Sequence, residues 1–421
     1  MLAAMPPTPP PSPKPQRNEP SARDRGDACP GALRLHAADD GGLARLRLPA
    51  GRLTARQVEV LAHAAETLGD GSVSVTSRGN AELRGLADGC GTELAALLAD
   101  AGLLPSATHE RVRNIVVSPA AGLDGLGGPE VQLWARELDA LLCAAPWAAA
   151  LSGRFLFVLD DGRGDVAGLG GDVTLVAVEA GRARLYVGGQ AYHVAGTDAA
   201  RAALTAAGAF LDAARAAGTG AWRVGELPDG HAPDLAGALA RAGIAAEPVT
   251  PAASLLLYGG PPAPGPLGAR ALYVLAPLGR LTAAQLRALL PAEEVRLTPW
   301  RGAVVVGTTA GTDRLAAHGL ITDPGSPWVN VTACTGRPGC AKSLADVRAD
   351  AVPAPARGLP GAGTPVHYSG CERRCGHPHG TWVDVVATAD GAYLVNGAPT
   401  PRTALHEAVT TARTTTTATT R

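Results

Sequence analysis

Residues 46–66 read LRLPAGRLTARQVEVLAHAAE, and residues 272–291 read LYVLAPLGRLTAAQLRALLP. These stretches decide the fold, because each spells the same local program: an apolar strand, a turn with glycine, and a helix entered through threonine. Thr54 and Thr282 are the expected N-caps, since a side-chain oxygen there satisfies a free N–H of the first helical turn. Val58, Leu61, Ala62 and Ala65 recur at helical spacing. Downstream, residues 73–86 read VSVTSRGNAELRGL and residues 295–307 read VRLTPWRGAVVVG. Alternation of Val73 with Val75, and of Val295 with Leu297, predicts strands. In this match Gly51 falls on Gly279 and Arg78 on Arg301.

A second module follows each copy. The first begins VRNIVVSPAAG at residues 112–122, then FLFVLDDG at 155–162 and VTLVAV at 173–178. The second begins VNVTACTGRPGC at 329–340, then VHYSGCERRCG at 366–376. In both, an apolar strand runs into a loop of small residues. The chain therefore reads as A–B–A′–B′, an α+β fold whose halves pack about a pseudo-twofold axis, since small α+β units cannot each bury both faces. The expected limits are 28–104, 105–258, 259–325 and 326–402. Residues 1–27 read as a disordered arm, 403–421 as a low-complexity, frayed tail, and 259–268 as a Pro/Gly linker. Arg201 to Ala217 reads as an Ala-rich helix closing the first B module.

The chain has 421 residues and a formal net charge of −1, which excludes bulk attraction to nucleic acid or anionic membranes. Of 37 basic residues only Lys14 and Lys342 are lysine. Met1 to Pro20 is proline-rich without an apolar signal core. The most apolar stretch, Leu138 to Leu159, is interrupted by Asp139, Pro146 and Arg154, so it does not read as a membrane span. The expectation is a soluble, cytoplasmic protein.

Cys29, Cys90 and Cys143 are scattered, whereas the other four of the seven cysteines fall between 334 and 375. Their spacing is C-x5-C for Cys334 and Cys340, then C-x3-C for Cys371 and Cys375. Iron–sulfur clusters take four thiolates. Gly336, Gly339, Gly370 and Gly376 let backbone N–H groups approach the anionic core, which is costly to bury without donors. A structural zinc is the alternative, although C-x5-C fits its usual C-x2–4-C pairs poorly.

ACTGRPGC (residues 333–340) followed by HYSGCERRCGHP (367–378) resembles the cluster motif of the sulfite and nitrite reductases. TSRGNAELRG (76–85) and RVRNIVVSPAAG (111–122) resemble that family's tetrapyrrole-contacting motifs, and A–B–A′–B′ matches its ferredoxin-like half-domains and cluster domains. Within that superfamily, ACPGALRLHAADDGGLARLRLPAGRL (28–53) is similar to the start of the precorrin-3B synthase branch.

The resemblance implies a [4Fe–4S] cluster on Cys334, Cys340, Cys371 and Cys375. In the reductases the position of Cys375 bridges to sirohaem iron. It further implies an O2-dependent monooxygenase of aerobic cobalamin biosynthesis, hydroxylating precorrin-3A at C20 with lactone formation. Either sirohaem or a mononuclear iron would accompany the cluster. Electrons would come from an external donor or NAD(P)H reductase. Arg78 and Arg113 fall on positions that pair with macrocycle carboxylates, and Arg84 lies in the same hairpin as Arg78. The reductases' Lys-x-Lys is replaced by Arg154 and Leu156, so the second cation of sulfite chemistry is missing.

The residues also admit a sirohaem sulfite or nitrite reductase, or a noncatalytic zinc or cluster-carrying module. Arginine forks suit a carboxylate-rich ligand, and Arg78, Arg84, Arg111, Arg113 and Arg154 are the candidates. His377 and His379 are candidates for iron ligation or proton transfer; His367 and Tyr368 read as core. Lys342, two residues after Cys340, is a candidate for offsetting cluster charge. GRGDVA (162–167) nominally fits a dinucleotide fingerprint, but a strand rather than a helix is expected after it. No catalytic residue is assigned.

Overall fold

The computed structural model describes residues 30–179, 181–250, 260–308, 311–351, 364–378 and 380–415. The expected arm, Cys29, His379 and residues 416–421 of the tail lie outside them.

The first unit contains β1 (His36–Ala38), β2 (Gly41–Leu46), β3 (Arg52–Leu53), α1 (Ala55–Thr67), β4 (Ser72–Val75), β5 (Ala81–Leu86) and α2 (Gly91–Asp100). The second contains β6 (Ile115–Val117), α3 (Val131–Ala144), β7 (Phe157–Asp160), β8 (Val173–Val178), β9 (Arg182–Val187), β10 (Gln190–Ala195), α4 (Ala199–Ala217), α5 (Leu235–Arg241) and β11 (Ala246–Pro248). The third contains β12 (Gly265–Leu267), β13 (Ala271–Leu275), β14 (Arg280–Thr282), α6 (Ala283–Ala288), β15 (Glu294–Leu297), β16 (Gly302–Val306) and α7 (Thr312–Ala317). The fourth contains β17 (Val331–Ala333), α8 (Val347–Asp350), β18 (Val366–Ser369), β19 (Val383–Ala387), β20 (Tyr393–Val395), β21 (Ala398–Thr400) and α9 (Leu405–Thr415).

The repeat is real down to its turns. Ala50 and Gly51 hold φ of 59° and 67°, and Leu278 and Gly279 hold 50° and 75°. Thr54 caps α1 and Thr282 caps α6, each in a reciprocal capping box, with Gln57 and Gln285. The A units exchange a strand. β14 closes the sheet β1-β2-β5-β4-β14, and β3 closes β12-β13-β16-β15-β3. Each exchanged strand covers an otherwise open edge. Leu53, Val58, Leu61 and Val73 share one core with Leu281, Leu286, Val295 and Leu297. The two A units are therefore one interlocked body.

The structure corrects the match between Arg78 and Arg301. Thr76 N donates to Asn80 O at 2.9 Å and Gly79 N to Thr76 O at 3.1 Å. Thr298 N donates to Gly302 O at 2.9 Å and Arg301 N to Thr298 O at 3.0 Å. Arg301 thus stands at the position of Gly79, with φ of 62° against 67°. Trp300 is the counterpart of Arg78, and aligning like residues displaced the turn by one.

The B modules share a second pattern. β6, β7 and β8 run parallel before an antiparallel meander, and so do β17, β18 and β19. α3 and α4 cover the first sheet. α9 covers the second, which overturns the expected frayed tail: Leu405 is 2% exposed and Val409 0%. Leu405, Ala408, Val409 and Ala412 sit at i, i+3, i+4 and i+7, a signal hidden among threonines. The expected linker is corrected in part, since Gly265–Leu267 is strand β12. Among the described residues no helix is long and apolar enough to cross a membrane.

At the end of β7 the loop of GRGDVA winds round a carboxylate. The Asp160 oxygens accept from the N–H groups of Gly162, Gly164, Val166 and Ala167 at 2.8, 2.9, 3.0 and 2.9 Å. Its glycines thus serve an internal anion, and a short 3-10 turn and β8 follow. Asp165 lies beside Asp160 and Asp161, and Ser118 Oγ donates to it at 2.6 Å. Burial, with the charges of Asp160 and Asp161 adding and Ser118 and Arg163 opposing, pushes Asp165 up to about 7.

Leu405→Ala and Val409→Ala should together lower the unfolding free energy by about 2–4 kcal/mol; denaturant titration at the level of a frayed tail would show no change. For Asp165 the folded value exceeds the unfolded one, so its stabilising share is complete below pH about 4 and is lost as pH rises to about 7. Asp165→Asn should raise stability above pH 7 by up to about 4 kcal/mol and leave it unchanged near pH 4. Unfolding curves across that range check this; an offset independent of pH would contradict it.

Candidate active site

Cys334 follows β17 directly, and Cys371 comes two residues after β18. The strands are parallel neighbours, with Ala333 opposite Tyr368, and neighbouring strands lie ~4.8 Å apart. Cys334 N donates to Tyr368 O at 2.9 Å, and Gly370 N donates to Cys334 Sγ at 3.2 Å. The Cys340 loop folds back onto the same strand end, with Leu344 N donating to Gly370 O at 2.7 Å. A Cβ on Gly370 would stand 1.9 Å from Ser343 Oγ, so only glycine admits this approach. Two loops far apart in sequence thus meet at one sheet edge.

Cys375 closes the group. Burial first, then the charges of Cys334, Cys371 and Cys340, push its thiol up, with Arg373 opposing. All four thiols are free; three are half-buried and Cys375 is exposed. Among the described residues, Asp160, Asp161 and Asp165 are the set of metal-ligating groups whose atoms all lie within 4.8 Å.

His367, fully buried, holds the Cys371–Cys375 loop. Its Nε2 donates to Cys375 O at 3.2 Å, and its Nδ1 faces Thr332 Oγ1 at 2.9 Å. Burial and then the charge of Arg301 push it down to about 3, so the ring is neutral. It and Tyr368 are core, as the sequence suggests. Ser369, on the same strand face as His367, is fully buried, and its Oγ has no hydrogen-bond partner among the described residues. Its counterpart in the first B module is Asp160, which is saturated.

A cavity of 290 Å³ opens beside this loop, walled by Gly376, His377, Trp300, Arg301, Trp328 and Ser77. Arg301 Nη2 donates to Gly376 O at 2.7 Å. Burial pushes Arg301 down, with Glu82 and Cys334 opposing. Trp300 Nε1 is buried without a hydrogen-bond partner among the described residues. His377 stacks on Trp382 at 4.4 Å, and its Nδ1 donates to Pro378 O at 2.9 Å.

The other candidates divide. Arg78 is half-buried in the β4–β5 turn, next in sequence to Ser77, which lines the cavity. Arg113 sends Nε and Nη2 to Asp139 at 2.7 and 2.8 Å. Arg84 pairs with Asp40 and Glu82. Arg154 is exposed, its guanidinium 5.4 Å from the Trp222 ring centroid. Lys342 is exposed on the Cys340 loop. Sequence reasoning missed Arg348, which burial and then Arg280 and Arg301 push down to about 10, with Cys334 opposing. It also missed the buried amide pair joining the two tetrapyrrole-type motifs. Asn80 Nδ2 donates to Asn114 Oδ1 at 3.1 Å, and both side chains lie inside motifs already singled out.

Comparison with known proteins agrees with this geometry. The family model of the nitrite/sulfite reductase ferredoxin-like half domain matches residues 36–101. A precorrin-3B synthase from Sinorhizobium sp. is 30% identical over 393 residues, covering 89% of this chain and 83% of that protein. A ferredoxin–nitrite reductase from Synechococcus elongatus is 40% identical over 84 residues, 20% of this chain and 16% of the relative. The solved structure of the Mycobacterium tuberculosis NirA protein superposes with a TM-score of 0.63 at 18% identity, covering 87% of this chain and 79% of that one, which speaks to the fold alone. With the repeat, the clustered thiols and a relative spanning most of its length, the chain belongs to the precorrin-3B synthase family, a branch of oxidoreductases within the nitrite and sulfite reductase superfamily.

Proposed function

We propose that the four thiolates hold a [4Fe–4S] cluster and that the chain hydroxylates precorrin-3A at C20, with lactone formation, in aerobic cobalamin biosynthesis. The observation that carries the cluster is the convergence of two cysteine loops on one parallel-strand edge, with Gly370 N–H on Cys334 Sγ. A single tetrahedral zinc at ~2.3 Å from each sulfur would draw the thiols to about 3.8 Å from one another. The C-x5-C spacing of Cys334 and Cys340 fits zinc's usual pairs poorly, which supports the cluster over zinc. Ser369 Oγ, buried and unpartnered where Asp160 supplies an anion in the first module, is a further fit to a group with its own negative charge.

When bound, the cluster supplies single electrons. The reaction needs two electrons and two protons beside O2, so that one oxygen atom enters the macrocycle and the other leaves as water. An external donor or NAD(P)H-dependent reductase supplies the electrons. A second metal group, sirohaem or mononuclear iron, would supply the centre at which O2 is activated, and the cavity lined by Gly376 and His377 would be the place to hold it. The chain's own residues bind and orient. Arg301, which lines the cavity, and Arg78, next to the lining residue Ser77, are the guanidinium groups assigned to ring carboxylates. Trp300 and Trp328 give the macrocycle apolar walls, and Trp300 Nε1 adds an unused donor. Arg84 and Arg113, committed to internal carboxylates, are not assigned to substrate.

Leu156, where the reductases carry their second lysine, is 2% exposed in an apolar cluster. Arg154 lies against Trp222. Neither arrangement offers the paired cations of sulfite chemistry, which favours oxygenation over sulfite or nitrite reduction.

Protein purified without oxygen should contain about four iron and four acid-labile sulfides per chain and should turn over precorrin-3A only when O2 and a reductant are added. Zinc without sulfide, or sulfite turnover with an intense haem band, would refute the proposal. Cys371→Ser should abolish the brown absorbance and activity together. Arg78→Ala should weaken macrocycle binding about 10- to 100-fold with an unchanged melting temperature; a collapsed melting temperature with unaltered affinity would remove that role.

A further inference from the structure

Arg84 stands on β5, 255 residues from Gly339 in sequence, and its Nη2 donates to Gly339 O at 2.5 Å. Gly339 immediately precedes Cys340. The guanidinium is aimed by Asp40, which accepts from Nε at 2.9 Å and from Nη2 at 3.0 Å, and by Glu82, which accepts from Nη1 at 3.3 Å. Glu82 is held in turn by Arg45 at 2.6 Å. Four of the five donors of Arg84 are thereby used, which leaves too few for a bidentate ligand carboxylate.

On the other side of the cysteine, Ala341 N donates to Asp39. The β1–β2 turn thus holds the backbone after Cys340 directly through Asp39, and the backbone before it through Asp40 and Arg84 of β5. The fit is close, because a Cβ on Gly339 would stand 2.6 Å from Asp40 Oδ2. Nothing in this network touches the cavity. Its charges alternate, Arg45, Glu82, Arg84 and Asp40, so it holds itself together without an outside ion.

We infer that Asp39 and Asp40 of the β1–β2 turn, with Arg84 of β5, form a latch that positions the Cys340 loop, so that they set how firmly the iron–sulfur core is retained. This rests on the cluster reading above. These are positioning residues, acting through the backbone on either side of a ligand.

The test uses the full chain, purified anaerobically, with an iron chelator added and the cluster absorbance followed. Arg84→Met should lose its cluster about tenfold or more faster than wild type. Asp39→Ala, which disturbs only a surface turn, should accelerate loss a few-fold. Arg56→Met, which breaks an exposed pair with Asp100, should match wild type. A second arm follows iodoacetamide labelling of the metal-free chains by mass spectrometry. Cys340 should be alkylated several-fold faster in both latch variants, with Cys334 as internal reference. Wild-type rates in Asp39→Ala and Arg84→Met on both arms would overturn the latch. A wild-type chain without iron and sulfide would instead sink the cluster reading, and the labelling arm would still decide the latch.

Discussion

Two adjacent parallel strands end in loops that must share one anion-binding edge, and the rest of the molecule is organised around that constraint. In the second B module, Gly370 N donates to Cys334 Sγ at 3.2 Å. In the first, the bond at the same register is Asp161 N to Ser118 Oγ at 3.0 Å. One backbone solution therefore serves twice, with hydroxyl and carboxylates in one copy and thiols in the other. The first copy neutralises its loop with Asp160 and is complete in itself. The second has Ser369 at the place of that carboxylate and gathers four thiols at the same edge.

The A units supply the frame. Because they exchange β3 and β14, neither half can move independently of the other, and the turns at Arg78 and Arg301 are fixed relative to both B modules. Each half sends one guanidinium to a cysteine loop. Arg84 reaches the carbonyl before Cys340, and Arg301 reaches the carbonyl after Cys375. The left-handed backbone at Arg301, uncommon for a side chain of that size, is what aims it. The cysteine loops are thus held at the seam between the interlocked halves, where charge from one unit fixes loops of another.

Much of this was legible in the sequence because it is periodic. The capped helices after Thr54 and Thr282 and the strands through Val73 and Val295 follow from local rules, and the four cysteines stood out by spacing. What local rules cannot give is which arginine is already spent. Arg84 and Arg113 read as candidates for ligand carboxylates, yet their partners Asp40 and Asp139 come from other elements and are visible only after folding. The same applies to the register of Arg301, which depends on a turn hydrogen bond. The final helix was hidden by composition, since threonine repeats masked the spacing of Leu405, Ala408, Val409 and Ala412.

The most direct measurement of the central claim is an anomalous difference map collected at the iron edge from anaerobically grown crystals. The account predicts one multi-iron peak bonded to the sulfur atoms of Cys334, Cys340, Cys371 and Cys375, at the edge formed by β17 and β18. A peak at the zinc edge alone, or iron bound away from those four sulfurs, would contradict it.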